Sequence, residues 1–454
     1  MSTQGKDLRG AHVVVVGMAR SGVAAVELLL TAGALVTAVD SGSIAKPFAE
    51  TLELLGVPVR AQDADVITSA DLVVLSPGVP ADIAEAEAAR RKGIRVIGDL
   101  ELASWFLQGK IIGITGANGK TTTTAMTGHI LQASGIAAQV GGNIGTPPAS
   151  MVATSRQDQW NVLELSSFQL ETTESFRAQV GAALNVTPDH LDRHYTMERY
   201  AEAKGRLFVN QRAEDFAVLN SDDAVASSYR KLTAGRVMWF GSKRQAETGA
   251  WIEAGRIMLD DQPLMEVAEV PLRGAHNIEN TMAAAVMTRL AGATHEQIRS
   301  AVMSFPGVEH RIEFTRDLGG VAYYNDSKAT NVDAALKAIA AFPGGLWIIL
   351  GGKDKNSDYA PLAEGLAGKA KAALLIGAAA RKIEGQLGNK IPVICSGTLE
   401  AAIGEAHAHA TPGDTVLLSP ACASFDQFEN YEHRGQEFKR LVMALPAVPA
   451  RKEA

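Results

Sequence analysis

Only two cysteines, Cys395 and Cys422, occur in 454 residues. That excludes a disulfide framework and a paired-cysteine zinc site, and it suits a reducing compartment. No run of about 18 apolar residues is present, so no membrane-spanning helix is expected. The start, Met1-Ser-Thr-Gln-Gly-Lys-Asp7, has no apolar signal core. Lys and Arg number 43 against 50 Asp and Glu, a net charge of −7, and no long basic run appears. A nucleic-acid backbone is therefore not the expected partner, because neutralising phosphates needs clustered cations. Fixed-period repeats and low-complexity linkers are also missing. What is present, 46% hydrophobic and 20% charged residues, folds rather than staying disordered. The expectation is a soluble cytoplasmic protein of two or three domains.

Short apolar runs alternate with helical patterns through the first hundred residues. His12–Val16, Ala34–Val39 closing on Asp40, Ala70–Leu75 and Arg95–Gly98 read as strands, and Gly22–Thr31 reads as a helix. Such alternation predicts a parallel sheet with helices on its faces. A second block starts near Gly109. It has strands at Asn161–Leu165 and Val180–Val186, a helix over Met197–Val209, short β-like pieces between Val218 and Val270, and a helix over Asn277–Ala291. A third block from Phe305-Pro306-Gly307 is again doubly wound. Its strands read Val321–Asn325, Leu346–Leu350, Ala372–Ile376, Pro392–Cys395 and Thr415–Leu418, with helices such as Val332–Ala341 and Leu399–Ala410. The predicted class is α/β, with domains at 1–105, 106–307 and 308–454.

The most informative segment is Gly113-Ile-Thr-Gly116-Ala-Asn118-Gly119-Lys120-Thr121-Thr122, between an apolar strand and a helix that runs to Ala133. Strand, glycine-rich turn, lysine and hydroxyl make a phosphate cradle. Backbone N–H groups face the anion, the lysine adds a point charge and the threonine hydroxyl can hold Mg²⁺. The general pattern would put its first glycine at Ile114, whereas this chain offers Gly113 and Gly116. ATP or GTP is the expected ligand.

Other polar segments stand at strand ends. Gly17-Met-Ala-Arg-Ser-Gly22 follows the first strand like a dinucleotide loop, but Ala19 replaces the middle glycine that allows close backbone approach. Asp40 can accept from a ribose hydroxyl or cap a helix, and Ser76-Pro77-Gly78 ends another strand of that sheet. Glu164 lies inside the apolar strand Val162–Leu165, and Asn185-Val-Thr-Pro-Asp-His190 follows a neighbouring one. A carboxylate so placed needs a partner or a metal. Glu164 and His190 are thus candidate Mg²⁺ ligands, and a salt-bridged glutamate with a helix-capping Asp-His pair is the plainer alternative. Lys204 reads as a snorkelling lysine on an amphipathic helix. In the third block, Asn325–Asn331, Gly351–Lys355 and Leu418–Phe428 follow three strands and mark one binding edge. Cys422 reads as a small buried thiol, and His407 and His409 as surface residues.

Taken together these segments resemble the Mur ligases. The resemblance rests on Gly113–Thr121, Gly141-Gly-Asn-Ile144, Glu164-Leu-Ser-Ser-Phe-Gln169, His276-Asn277, His310-Arg311, Asn325–Asn331, Ser419–Phe428 and Gly435, which span essentially the whole chain. It implies an N-terminal Rossmann-like UDP-binding domain, a central phosphate-loop ATPase and a C-terminal Rossmann-like domain for an amino acid. Within the family the likeness is to the branch that joins D-glutamate to UDP-N-acetylmuramoyl-L-alanine for peptidoglycan. ATP, two Mg²⁺ ions and a Lys204 carbamylated by CO₂ are implied with it, in a cytoplasmic monomer that neither binds nucleic acid nor enters a membrane.

By position, the resemblance assigns Gly116, Asn118, Gly119, Lys120, Thr121, Thr122, Asn277, Arg311 and Asp326 to ATP. Ser21, Asp40, Ser41, Ser76, Gly78, Asn143 and His190 fall to the UDP substrate. Lys328, Thr330, Lys355, Ser424 and Phe425 fall to D-glutamate, and Thr121, Glu164, His190 and carbamylated Lys204 to metal. Lys120, Lys204, His190 and Lys328 are the implied catalytic group. Gly42, Arg20, Phe425 and Tyr431 depart from the usual family residues. The alternatives are a sister ligase or a folylpolyglutamate-synthase-like enzyme with another amino acid, an NAD-dependent dehydrogenase, and a regulatory nucleotide-binding protein.

Overall fold

The computed structural model describes residues 7–245 and 248–446; the first six residues, part of the stretch read as lacking a signal core, lie outside them. Three sheets form. The first is all parallel, in the spatial order Val59–Ala61, Leu35–Asp40, His12–Val16, Leu72–Leu75, Arg95–Gly98. Val13 to Val16 have no exposed surface, as a central strand covered on both faces requires. The chain reverses its winding between His12–Val16 and Leu72–Leu75, so the crevice outside these two strands' C-terminal ends is a switch point.

Nine strands make the second sheet. Ala138–Gly142, Trp160–Glu164, Lys110–Thr115, Val180–Ala183, Phe216–Asn220, Arg236–Gly241 and Gly249–Glu253 run parallel in that spatial order, and Arg256–Leu259 and Gln262–Glu266 close it antiparallel. The third sheet orders Glu313–Leu318, Val321–Asn325, Thr415–Leu418, Leu346–Gly351, Ala370–Ile376 and Val393–Gly397, with only the first strand antiparallel.

These are three α/β domains in two compact units. The first unit, within Met1–Val270 and Glu279–Phe305, contains the first two sheets, and the second, within Pro271–Ile278 and Pro306–Ala454, contains the third. In the first unit the two sheets share one core, in which Leu100 and Leu102 join Leu163, Leu165 and Phe176. Glu101 is the polar joint. Its buried carboxylate accepts from the backbone N–H groups of Glu174, Ser175 and Phe176 at 2.9–3.0 Å and from Trp105 Nε1 at 2.9 Å. Burial raises its pKa, but the Ser175 hydroxyl and the amide donors outweigh that and hold it below the usual value.

Several elements differ from the sequence expectations. Val59–Ala61 is an edge strand with all three residues exposed, so it carries no apolar signal. Ala138–Gly142, Glu313–Leu318 and the helix His295–Met303 were likewise not anticipated. The strand expected to reach Val186 ends at Ala183, because Leu184 and Asn185 turn to serve the phosphate loop. The helix expected to reach Val209 ends at Gly205. No helix among the described residues is long and apolar enough to cross a membrane.

Candidate active site

Local sequence builds the phosphate loop. Lys110–Thr115 runs in the sheet, and the helix Lys120–Ala133 starts at Gly119, whose φ of 84° is left-handed and suits glycine. No side chain caps that helix, and its N-terminus turns the positive end of the helix dipole toward the loop. A Cβ at position 119 would also collide with the Asn280 side chain, which accepts from Thr123 Oγ1 at 3.1 Å. Asn185 clamps the loop from the neighbouring strand's end. Its Oδ1 accepts from Asn118 N at 2.8 Å, its Nδ2 donates to Asn118 O at 3.1 Å, and its carbonyl accepts from Ala117 N at 2.9 Å. Neither Asn185 nor Asn280 was assigned a role from sequence, although Asn185 opens the polar cluster noted there.

Two lysines converge on one carbonyl. Lys120 Nζ donates to Gly116 O at 2.9 Å, and Lys204 Nζ, from 88 residues away in sequence, donates to the same oxygen at 2.8 Å. Lys204 is buried, with its amine 4.6 Å from the centre of the Tyr200 ring. The snorkelling reading is therefore wrong: its helix packs on the sheet and aims the side chain inward, which spacing alone does not reveal. Burial, and then the charge of Lys120, put its pKa well below the ordinary lysine value.

Glu164 is paired in register with Ile114 on one side and Gly142 on the other, beside the phosphate loop. It is 2% exposed; Oε1 accepts from Asn143 Nδ2 at 2.9 Å, and Oε2 is buried with no hydrogen-bond partner. It forms no ion pair among the described residues, so the salt-bridged alternative is not realised. Gly142 allows the close approach, since a Cβ there would strike the Glu164 carbonyl. His190 has a left-handed backbone, stands half-exposed edge-on to Phe168, and is held below the usual histidine pKa by burial, with Lys120 and Lys204 adding to the effect. The negative charges of Asp189 and Glu164 partly oppose the lowering of the Lys204 pKa. Glu164 Oε2, the buried Thr121 hydroxyl and His190 are the donors this region could offer a cation. These are hard oxygen donors and one imidazole, and the orphaned carboxylate oxygen fits a Mg²⁺ ligand.

At the first sheet's switch point lies a cavity of about 460 Å³ lined by Ser21, Asp40, Ser41, Ser76, Gly78 and Asn143. Six of the seven positions implied for the UDP substrate are thus brought together, and His190 is not among the lining residues. Asp40 does not cap a helix. Its carboxylate accepts from Met18 N at 2.7 Å and Gly42 N at 2.9 Å, pinning two loops at the cavity. Arg20 is exposed, and the helix it opens has no side-chain cap.

In the second unit, the loops after three adjacent parallel strands are stitched at one edge. Ser419 Oγ donates to Asp326 Oδ2 at 2.8 Å, Gly351 N to Pro420 O at 2.8 Å, and Lys353 N to Ala423 O at 2.8 Å. Arg434, fully buried, donates to Ser327 Oγ, Ser327 O and Cys422 O at 2.8–3.3 Å, a role unmarked in the sequence. Burial pushes Asp326 up to about 7. Asn277, also buried, donates to Arg273 O, and Arg311 is half-buried. Lys328 lies over the Tyr431 ring at 5.3 Å. Thr330 is half-buried, Lys355 and Phe425 are exposed and Ser424 is buried. Cys422 is the buried thiol expected, pushed up to about 11 by its surroundings, and bonds Tyr359 at 3.0 Å. Glu309, His310 and Glu313 cluster closely enough for a metal, but Lys439 already bonds both carboxylates and offsets part of their charge.

Fold and site together define a class: a three-domain α/β protein whose central sheet carries a phosphate loop backed by one buried and one half-buried lysine and a buried glutamate. The profile of the Mur ligase MurD-like N-terminal domain matches residues 11–98, that of the Mur ligase middle domain 114–288, and that of the Mur ligase glutamate ligase domain 310–422. The UDP-N-acetylmuramoylalanine–D-glutamate ligase of Solibacter usitatus is 56% identical over 96% of this chain and 99% of its own. That of Acidobacterium capsulatum is 50% identical over 96% and 97%. Among solved structures, MurF ligase from Thermotoga maritima in complex with ADP superposes with a TM-score of 0.60 at 17% identity, over 97% of both chains. UDP-N-acetylmuramate-alanine ligase from the same organism gives 0.57 at 18% identity, over 96% of this chain and 99% of its own. The chain belongs to the Mur ligase family.

Proposed function

We propose that this protein joins D-glutamate to UDP-N-acetylmuramoyl-L-alanine at the expense of ATP, in cytoplasmic peptidoglycan precursor synthesis. The observation that carries the reading is near-full-length identity of 56% to a relative of that name. The phosphate loop with its two converging lysines supports the chemistry.

In the reaction, an oxygen of the substrate carboxylate attacks the γ-phosphorus of ATP and the bond to the bridging oxygen breaks, releasing ADP. The amine of D-glutamate then attacks the acyl-phosphate carbonyl. The tetrahedral intermediate loses phosphate, the amine gives up a proton, and an amide remains. Charge spreads over the phosphoryl oxygens in the first transition state, so fixed positive groups lower the barrier. Lys120 and the uncapped N–H groups of its helix supply them, with Gly116, Asn118, Gly119, Thr121 and Thr122 shaping the cradle. Two Mg²⁺ ions, held by Thr121, Glu164, His190 and Lys204 as its carbamate, would neutralise further phosphate charge. The depressed pKa of Lys204 supports carbamylation, because only the neutral amine attacks CO₂, releasing a proton as the N–C bond forms.

Ser21, Asp40, Ser41, Ser76, Gly78, Asn143 and His190 hold the UDP-linked substrate. The nucleotide roles of Asn277, Arg311 and Asp326, and the D-glutamate roles of Lys328, Thr330, Lys355, Ser424 and Phe425, belong to the same proposal, with Lys328 countering an amino-acid carboxylate. The protein acts as a monomer without nucleic-acid or membrane partners. Phosphate release from ATP with UDP-N-acetylmuramoyl-L-alanine and a panel of amino acids tests it. Turnover with D-glutamate is expected; turnover with L-lysine, diaminopimelate or L-alanine and none with D-glutamate would overturn the specific assignment.

A further inference from the structure

The switch-point cavity runs along the carboxyl edge of the first sheet, over the loops that follow adjacent strands. Gln62 comes after Val59–Ala61, Ser41 after Leu35–Asp40, Gly17–Ser21 after His12–Val16, and Ser76–Val79 after Leu72–Leu75. At strand spacings of about 4.8 Å, the first and last of these loops stand roughly 14 Å apart. The Ser76–Val79 side is the one joined to the second sheet's domain. There Arg193 Nη2 donates to Val79 O at 2.8 Å, and Gly98 N, on the next strand, donates to Thr172 O at 3.2 Å. Asn143, which also lines the cavity, donates to Glu164 beside the phosphate loop. Val59–Ala61 is the opposite edge of the sheet. Gln62 therefore stands at the end of the cavity remote from the phosphate loop.

Charge divides the cavity along the same line. The helix Arg20–Thr31 opens without a side-chain cap, beside the hydroxyls of Ser21 and Ser76, and Ser76 Oγ is buried with no partner. Arg20, the one cation among the described lining residues, stands at that helix start. An anion is favoured there. The Gln62 end holds carboxylates instead: Asp40 before Ser41, Asp63 directly after Gln62, and Asp65. Arg60 is exposed and does not line the cavity. Phosphate is repelled at this end, and a neutral ring is not. Gln62 is half-buried, and its carboxamide makes no hydrogen bond among the described residues.

We propose that Gln62 recognises the base of the UDP-linked substrate. Its Oε1 accepts from the uracil N3–H, and its Nε2 donates to the adjoining carbonyl. A uracil edge presents acceptor, donor and acceptor in a row, and a carboxamide answers a neighbouring donor and acceptor without adding charge. With the base at Gln62, the diphosphate meets the helix start and its hydroxyls. The substrate's other end then points past Asn143 toward the phosphate loop, where its carboxylate is to be phosphorylated. The inference rests on the proposed UDP-binding role of the cavity.

The test is calorimetric binding of UDP, and of UDP methylated at N3, to the full chain of the natural protein and of Gln62→Leu. A melting curve confirms that the variant is folded. The methyl group removes the donor of the base and leaves ribose and diphosphate as they are. CDP is a poorer probe, because a turned-over amide matches cytosine as well. The natural protein should bind UDP about tenfold more tightly than the methylated form. Gln62→Leu should bind the two alike, each about tenfold more weakly than the natural protein binds UDP. Equal binding of both ligands by the natural protein, or a preference for UDP that survives in Gln62→Leu, would overturn the proposal and leave the cavity's ligand in place. No UDP binding by the natural protein would remove the substrate reading of the cavity, and this inference with it.

Discussion

The first unit holds two glycine-rich loops at strand–helix junctions, and their difference is instructive. Both helices that follow, Arg20–Thr31 and Lys120–Ala133, start without a side-chain cap. Both therefore offer backbone N–H groups to an anion. Around Gly113–Thr122 stand two lysines sharing one carbonyl and a glutamate with an orphaned oxygen. Around Gly17–Gly22 stand hydroxyls, Asp40 with its carboxylate committed to backbone amides, and the buried acid Asp99. An anion that is only held needs donors and shape. One whose bond is broken needs concentrated charge where electron density develops, which the second loop alone has.

This contrast can be broken by experiment. Lys120→Ala should lower kcat by about 10²–10³, the effect of one transition-state contact, and leave UDP binding unchanged. A kcat within a few-fold of normal in steady-state assays would remove the loop's catalytic role. Lys204→Ala should lose about 10² in kcat and recover part of it with added short carboxylic acids standing in for the carbamate. Absence of recovery with any acid up to the solubility limit would count against the carbamate. In the first loop, Asp40→Asn should raise the KM for the UDP substrate about tenfold with little change in kcat, because it loosens a binding site rather than a transition state. A fall in kcat with KM unchanged would make the two loops alike.

The smallest effect concerns the joint between the two sheets. Glu101→Gln should cost about 1–3 kcal/mol at pH 7 in denaturant melts, as a buried acceptor of several N–H groups is weakened. The folded pKa of Glu101 is depressed, so its contribution is present above the unfolded value near 4.5 and is lost as pH falls through the folded value. The gap between the natural protein and the variant should therefore narrow in acid. A gap that widens on acidification would contradict an ionised Glu101.

Much of the fold was legible because its signals are local. Val13 to Val16 and Leu346 to Leu350 are continuous apolar runs, which central parallel strands must be. Edges were missed for the converse reason: Val59–Ala61 is exposed and Glu313–Leu318 carries Phe314 outward among charged residues. At the site, the loops themselves were readable, since strand, left-handed glycine and helix follow one another in the chain. Lys204 was misread from spacing because its burial depends on which face its helix presents to the sheet. Glu101, Asn280 and Arg434 were unmarked, and Asn185 was noted without a role, since each acts through partners that are distant or unremarkable in sequence.

The chain by itself determined the three α/β blocks, the phosphate loop and the polar loops after the third sheet's strands. Those follow from backbone geometry and apolar periodicity, which are properties of neighbouring residues. Tertiary structure alone decided that Lys204 meets Gly116, that Glu164 keeps a bare oxygen beside the phosphate loop, and that Asp99 lies buried with an unpartnered oxygen. Burial and the loss of water around a charge arise only when distant segments pack, and they change what a lysine or a carboxylate is able to do.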